Sequence, residues 1–261
     1  GLGTRLLPLT SVFAKELLPI NGKPGLEYIL DECIEAGIKE VIFIISKKKM
    51  MIKKYFYNDK FYKDIIKKKG DPKIIKEYKK ILKYKKMIKF VFQDKPLGTG
   101  DAVYKTKKFI TDKYFLMLLP DDLIIKKNCS KSMILVHKKF KASVMASMKV
   151  NKSDVTRWGI YNIKKKIDKN NFIINNVVEK PSIKTSPSNY AVIGRYILPK
   201  TIFSKLKSLK PGKSGEFHIT DAIQALIEDD HQFIGHNFSG KYLDCGTMNG
   251  YIKSTLEISK Q

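Results

Sequence analysis

The sequence predicts an α/β fold, and three observations carry that expectation. A helical stretch begins near Pro24 and stops at Gly37, and a five-residue apolar run, Val41 to Ile45, follows at once. A helix feeding a buried strand is what a parallel α/β sheet requires. The second half of the chain adds four further strand-like runs. Finally, 261 residues with 43% apolar composition bury a sizeable core and sit near the size at which one α/β domain tends to split.

In the first helix Pro24 is a favoured first-turn residue, and Leu26, Ile29, Leu30, Cys33 and Ile34 share one face. From Lys47 to Lys89 lysine dominates among Ile, Tyr and Phe, and the GDPK turn at Gly70 to Lys73 divides the stretch into two surface helices. Strands are expected at Ile88 to Phe92 and Tyr114 to Leu119, with a helix beginning near Gly100 between them. Both strands run into polar residues, and open parallel sheets bind ligands beyond the carboxyl ends of their strands. Strands at Ala142 to Val150, Gly159 to Ile163, Phe172 to Val178 and Tyr190 to Leu198 follow, then helices at Lys200 to Leu209 and Ile219 to Glu228. The last carries an apolar stripe of Ile219, Ala222, Ile223, Leu226 and Ile227. The KTSPSN stretch, Lys184 to Asn189, is the best candidate for a mobile loop.

The formal net charge of +26 would ordinarily place nucleic acid or an anionic surface first among partners. Only Arg5, Arg157 and Arg195 are arginines, however, and the other basic residues are lysine. Arginine is the side chain that reads bases and phosphates bidentately, so the lysine excess reads as a bias toward A/T-rich codons, and no nucleic-acid partner is expected. No run approaches the roughly 18 apolar residues of a membrane span, and no secretory leader opens the chain. Cys33, Cys129 and Cys245 are far apart and odd in number, which suits a reducing cytoplasm rather than disulfides or zinc. The four histidines lack metal-ligand spacing. A cytoplasmic protein without membrane contact is the expectation.

Six segments carry chemistry. GLGTR sets two glycines and a threonine ahead of Arg5, a turn whose N–H groups can approach a phosphate chain and which is equally a common tight turn. AKELLPINGKP brings Lys15 and Glu16 within reach, a second basic group close behind the glycines. FVFQDKPLGTGDAV ends a strand at Gln93 and continues through Gly98 and Gly100; the amide of Gln93 matches the donor and acceptor edge of uracil or thymine, and Gln93 is equally an ordinary strand-end residue. FLMLLPDD delivers Asp121 and Asp122 at a strand's carboxyl end, the usual place for a Mg²⁺ ligand, and also a common turn or cap. Asp244 in YLDCGT supplies a possible second carboxylate. VVEKP sets Glu179 and Lys180 on opposite faces of a strand end.

In this order GLGTR, AKELLPINGKP, QDKPLGTGDAV, LLPDD, WGI, VVEKP, IGRYIL, GEFHITDAI and YLDCGTMNGY span the whole chain, and together they resemble the bacterial UTP–glucose-1-phosphate uridylyltransferases among the sugar nucleotidyltransferases. Glu16 and the PDD, GRYIL and DCGTMNGY wording favour the uridylyl branch over the thymidylyl one. The resemblance implies a Rossmann-like mixed, mostly parallel sheet flanked by helices, with a smaller strand-rich sugar-binding subregion. It implies one domain over residues 1–261, with 1–140 mainly nucleotide-binding and 141–261 mainly sugar-binding. It implies that Gly1, Leu2, Gly3, Thr4, Arg5 and Lys15 hold the triphosphate, Gln93 and Gly98 meet uracil, and Asp121 with Asp244 binds Mg²⁺. Gly159, Glu179 and Gly194 would contact glucose, Lys180 the phosphates, and Glu16 and Asp122 would also lie at the substrates. UTP and glucose 1-phosphate are the implied partners, in a homo-oligomer.

Three departures stand against that pattern. The family carries an apolar strand just ahead of the glycine loop, which points to an N-terminally truncated chain. Phe13 and Ala14 replace a common Ser-Pro, and Asp101 replaces a common histidine. A thymidylyltransferase or other sugar nucleotidyltransferase, an inactive nucleotide-sugar-binding homologue, and a basic nucleic-acid-binding protein are the alternatives.

Overall fold

The structure is a computed structural model, and it describes residues 3–212 and 215–260. Short 3₁₀ turns lead into a two-stranded ribbon, β1 (Pro19–Ile20) and β2 (Lys23–Pro24), which reverses at Asn21 and Gly22 with φ of 49° and 76°. Helix α1 (Gly25–Glu35) follows directly and buries the expected face of Leu26, Ile29, Leu30 and Cys33. Gly37, at φ 81°, ends it ahead of β3 (Val41–Ile45).

The lysine-rich stretch forms three helices rather than two: α2 (Met50–Tyr57), α3 (Asp59–Lys69) and α4 (Pro72–Met87). The additional break falls at Asn58, whose φ of −89° and ψ of 53° make it the cap of both neighbours. Neither proline nor glycine marks it. The GDPK turn works as expected, because the Asp71 carboxylate accepts from the Lys73 N–H at 2.7 Å and Pro72 occupies the first turn.

Then come β4 (Ile88–Phe92), α5 (Thr99–Tyr104), β5 (Tyr114–Leu118), β6 (Asp122–Ile125), α6 (Cys129–Phe140) and β7 (Ser143–Lys149). After these lie β8 (Gly159–Lys166), β9 (Asn171–Glu179), β10 (Tyr190–Pro199), α7 (Ile202–Ser208) and α8 (Ile219–Glu228). The chain closes with β11 (Phe233–Asn237), β12 (Lys241–Asp244) and α9 (Met248–Ser259). Five of these, β6, α6, β11, β12 and α9, were not expected. β6 opens on the acidic pair that reads as a loop, and only pairing with the distant β12 makes it a strand. A legible signal announces α6, since the Asn128 side chain caps it by accepting from Lys131 N at 2.8 Å. The KTSPSN loop is irregular, with its end pinned where Ser188 Oγ donates to Tyr161 O and Asn189 Nδ2 to Val150 O.

A six-stranded sheet runs in the order β5-β10-β7-β11-β9-β8. On one face Met145, Tyr196, Leu198 and Phe233 pack against Phe203 of α7 and Ile223 and Leu226 of α8. On the other, Val144, Ala146, Ile193 and Ile197 pack against Cys129, Met133 and Val136 of α6. Residues 144–146 and 196–198 thus alternate between two apolar layers, as the period of two demands when both faces are buried. The mixed α/β class is the expected one, but its parallel share is smaller. Among the described residues parallel register joins β7 to β11 and β3 to β4, and the remaining pairs are antiparallel. The cause is local: β8 and β9 are joined by a tight turn at residues 167–170, and a short connection permits only an antiparallel pair.

The β3–β4 pair stands apart from the larger sheet, and a trough of ≈ 1290 Å³ separates it from β5. Apolar side chains of Val41 to Ile45 and Tyr114 to Leu118 form its walls. Its polar mouth, with Glu16, Lys49 and Gln93, lies where β3, β4 and β5 all reach their carboxyl ends. Among the described residues no helix is long and apolar enough to cross a membrane.

His236 on β11 is a buried polar group with both ring nitrogens engaged, Nδ1 2.8 Å from Asn171 Oδ1 and Nε2 3.1 Å from Ser132 Oγ. Burial holds its pKa below the ordinary histidine value, with Asp168 opposing more weakly. The unfolded chain therefore binds this proton more readily than the folded one. The stabilisation is complete above the unfolded value of about 6.5 and is lost as pH falls through it toward the folded value. Melting temperature is expected to fall between pH 7 and 5, and His236→Gln to flatten part of that fall; equal slopes in thermal melts of the two proteins would contradict it.

Candidate active site

The first described residue, Gly3, takes the left-handed conformation at φ 72°. Its carbonyl accepts from Leu6 N and from Thr10 Oγ1 at 2.7 Å, and a Cβ there would meet Thr10 Cγ2 at 3.1 Å. Glycine is therefore needed to close the turn that presents Thr4 and Arg5. Gly1 and Leu2 lie outside the described residues.

Arg5 and Lys15 converge on Asp121. The half-buried ammonium of Lys15 lies 2.7 Å from Asp121 Oδ2, and the more exposed Arg5 guanidinium lies 3.9 Å from it. Burial opposes the charge on Asp121, but Lys15 outweighs it with Arg5 behind, and the carboxyl is held below its usual range. Asp244 joins from the far end of the chain, because β12 pairs with β6 and Cys245 N donates to Asp121 O at 2.8 Å. Gly246 is the hub of this cluster. A Cβ on it would lie 2.9 Å from Asp121 Oδ2, 3.1 Å from an Arg5 nitrogen and 3.2 Å from Asp244 Oδ1. Sequence reasoning did not single out Gly246, although its place directly after the Asp-Cys pair was a signal.

Two carboxylates expected at the substrates have partners within the protein. Glu16 holds the Lys49 ammonium at 2.6 and 2.9 Å. Asp122 accepts from Gly194 N at 2.8 Å and from the Tyr242 hydroxyl at 2.7 Å. Burial above all, and then neighbouring Asp121, raises the Asp122 carboxyl above its usual range. Gly194 belongs to the same packing, since a Cβ there would lie 2.4 Å from Asp122 Oδ2 and 2.6 Å from the Leu119 side chain. These contacts hold the acidic loop in place.

Beneath that loop lies a buried ion pair that sequence reasoning missed. Arg195 is fully buried, and its Nε and NH2 reach the Glu32 carboxylate, NH2 at 2.8 Å. The same guanidinium donates to the carbonyls of Leu119 at 3.1 Å, Gly194 at 3.1 Å and Asp122 at 2.6 Å. The planar fork thus ties α1 to the backbone on both sides of Asp121.

The second glycine loop is clamped from the GEFHIT segment. Phe217 N donates to Leu97 O, Gly100 N to Phe217 O and Ile219 N to Thr99 Oγ1. A Cβ on Gly98, at φ 96°, would lie 2.5 Å from Phe217 O. The space its missing side chain leaves is filled by protein backbone. Gln93, from the end of β4, donates through Nε2 to Gly98 O at 3.0 Å and to Asp101 Oδ2 at 2.7 Å.

Gly159 and Glu179 face each other across β8 and β9, a Cβ on the glycine lying 3.1 Å from Glu179 Oε2. Lys180 follows in the left-handed region at φ 46°, unusual for a side chain of this kind, and its N–H donates to Trp158 O. Its exposed ammonium lies 3.8 Å from Glu179 and is not in the ion-pair cluster of Asp121. Trp158 packs edge-on against Tyr242, the residue that holds Asp122, so the two halves of the site are joined through an aromatic pair.

The nucleotidyl transferase family model matches residues 1–261. The chain belongs to this family. It is 35% identical over 260 residues to UTP–glucose-1-phosphate uridylyltransferase 2 of Staphylococcus saprophyticus, covering 99% of this chain and 89% of that relative. A solved UDP-glucose pyrophosphorylase complexed with UDP-glucose matches it with TM-score 0.86 and 32% identity over 100% of this chain and 95% of that one. A UTP-bound UGPase from Acinetobacter baumannii matches with TM-score 0.89 and 30% identity over 99% and 90%. Nucleotidyl transferases generally use a divalent metal. Among the described residues no group of three or more His, Cys, Asp or Glu side chains is placed for a metal ion. The cradle over Gly246, with Asp121 and Asp244 on either side, nevertheless fits an ion that takes few protein carboxylates.

Proposed function

We propose that this nucleotidyl transferase joins the uridylyl group of UTP to glucose 1-phosphate, giving UDP-glucose and pyrophosphate. The observation that carries the proposal is the convergence of Arg5, Lys15, Asp121 and Asp244 about Gly246 at the carboxyl ends of the strands. The relatives support the choice of base and sugar.

An oxygen of glucose 1-phosphate attacks the α-phosphorus of UTP, the new P–O bond forms, and the bond to the β-phosphate breaks with release of pyrophosphate. The attacking phosphate is already ionised at neutral pH, so no general base is required. Mg²⁺, held by Asp121 and Asp244, would supply positive charge at the phosphates as they react. The rest is positioning and electrostatics from the chain itself. Gly3, Thr4, Arg5 and Lys15 line the triphosphate, and Lys15 exchanges part of its contact with Asp121 for phosphate oxygen. Gln93 meets the uracil edge beside Gly98. Gly159 and Glu179 meet the glucose, and Lys180, exposed and held in a strained backbone, turns its ammonium to the sugar phosphate. The same reading carries a cytoplasmic homo-oligomer, which light scattering after size exclusion would read.

Comparing kcat/KM for UTP and dTTP with glucose 1-phosphate tests the choice of base. UTP is expected to be the better substrate, and an equal or greater value for dTTP would move the assignment to the thymidylyl branch.

A further inference from the structure

We propose that Asp101 sets the base preference of this site by fixing which way round the Gln93 amide sits, so that the pocket accepts a pyrimidine carrying a ring N–H and turns away one with a bare ring nitrogen. The proposal rests on the uracil-facing role given to Gln93 above.

Gln93 Nε2 lies 3.0 Å from Gly98 O and 2.7 Å from Asp101 Oδ2. A backbone carbonyl and a carboxylate both accept and neither donates, so the amide nitrogen must face them; the flipped amide would set its oxygen against two others. Both amide hydrogens are thereby committed inside the protein. Oε1 is the polar atom left to a ligand, and it only accepts. The geometry is held from both sides. Gly98 O is fixed because the 97–100 loop is clamped by Phe217, and Lys105 lies 3.6 Å from the other Asp101 oxygen.

Uracil and thymine present N3–H to such an acceptor. Cytosine presents a lone pair at the same position, and two acceptors facing each other in a desolvated pocket leave both unsatisfied. A carboxylate offers lone pairs alone, which makes the orientation of Gln93 in this chain one-sided.

The test is kcat/KM for UTP, dTTP and CTP, by pyrophosphate release with saturating glucose 1-phosphate, in wild type, Asp101→Ala, Asp101→Asn, Gln93→Ala and the Asp101→Ala/Gln93→Ala pair. In Asp101→Ala the UTP:CTP ratio is expected to fall about tenfold, the size of one hydrogen bond, through KM rather than kcat, while UTP:dTTP stays constant because both bases carry N3–H. Asp101→Asn retains most of the UTP:CTP ratio, since its amide oxygen can take the carboxylate's place. Once Gln93 is alanine, removing Asp101 changes the ratio no further. An unchanged UTP:CTP ratio in Asp101→Ala, or equal losses with UTP and CTP, overturns the proposal and leaves Asp101 a support of α5. A wild-type protein that uses CTP as well as UTP removes the uracil-facing role of Gln93 first, and the proposal with it.

Discussion

Asp121→Ala is expected to lower kcat/KM for UDP-glucose formation by about 10³-fold or more, while the protein keeps its fold. Asp121 is where the basic and acidic halves of the site meet, with Lys15 2.7 Å from one oxygen and the Gly246 cradle beside it. On the proposed reading, its loss removes a carboxylate for the cation and frees Lys15 from its position in one step. Removing a single preorganised electrostatic contact at a reacting centre costs about 10²–10³ in kcat, and the loss of metal affinity adds to that. The fold survives because the Asp121 carbonyl, not its side chain, makes the bond to Cys245 N that holds the β6–β12 region. Asp244→Asn is expected to fall in the same direction by less, since its oxygens also cap the following turn through Gly246 N and Thr247 Oγ1. Steady-state assays over a Mg²⁺ series read both, and normal turnover in Asp121→Ala would remove it from the site.

The second large effect is structural. Arg195→Met is expected to destabilise the protein by about 3–5 kcal/mol, because the Glu32 charge is left buried without its partner. Glu32 retains Ser130, whose N–H and hydroxyl both donate to it, but a neutral donor does not replace a guanidinium. The carbonyls of Leu119, Gly194 and Asp122 lose their donor at the same time. Pairing the change with Glu32→Leu removes both charges and is expected to recover part of the stability in urea unfolding. Activity is not recovered with it, because the backbone on both sides of Asp121 is no longer tied to α1. A double variant no more stable than Arg195→Met would contradict the ion-pair account of the loss.

What the sequence made legible follows from how local each signal is. The face of α1, the run of β3, the GDPK turn and the α8 stripe depend on neighbours within a few residues, and the structure holds all four. The elements that escaped depend on distant partners. β6 and β12 exist through each other, and the Asn58 break has no proline or glycine to announce it. The site divides in the same way. Arg5, Lys15 and Asp121 were recognisable as residue types in suitable loops, and folding brings them together with Asp244. That Glu16 and Asp122 are occupied by Lys49, Gly194 and Tyr242 was invisible, because hydrogen-bond partners set by tertiary packing leave no trace in spacing. Arg195 was visible as one of three arginines in a lysine-rich chain. Its burial and its pairing with Glu32 of α1 come from tertiary packing, which spacing does not show.

The chemistry assigned to the site is tested most directly by ³¹P NMR of the protein with UTP, glucose 1-phosphate and Mg²⁺. The expected spectrum shows UDP-glucose and pyrophosphate growing in equal amounts as both substrates decline, with no change when glucose 1-phosphate is withheld. Loss of UTP to UDP and phosphate, or no reaction with glucose 1-phosphate present, would contradict a uridylyl transfer at Asp121.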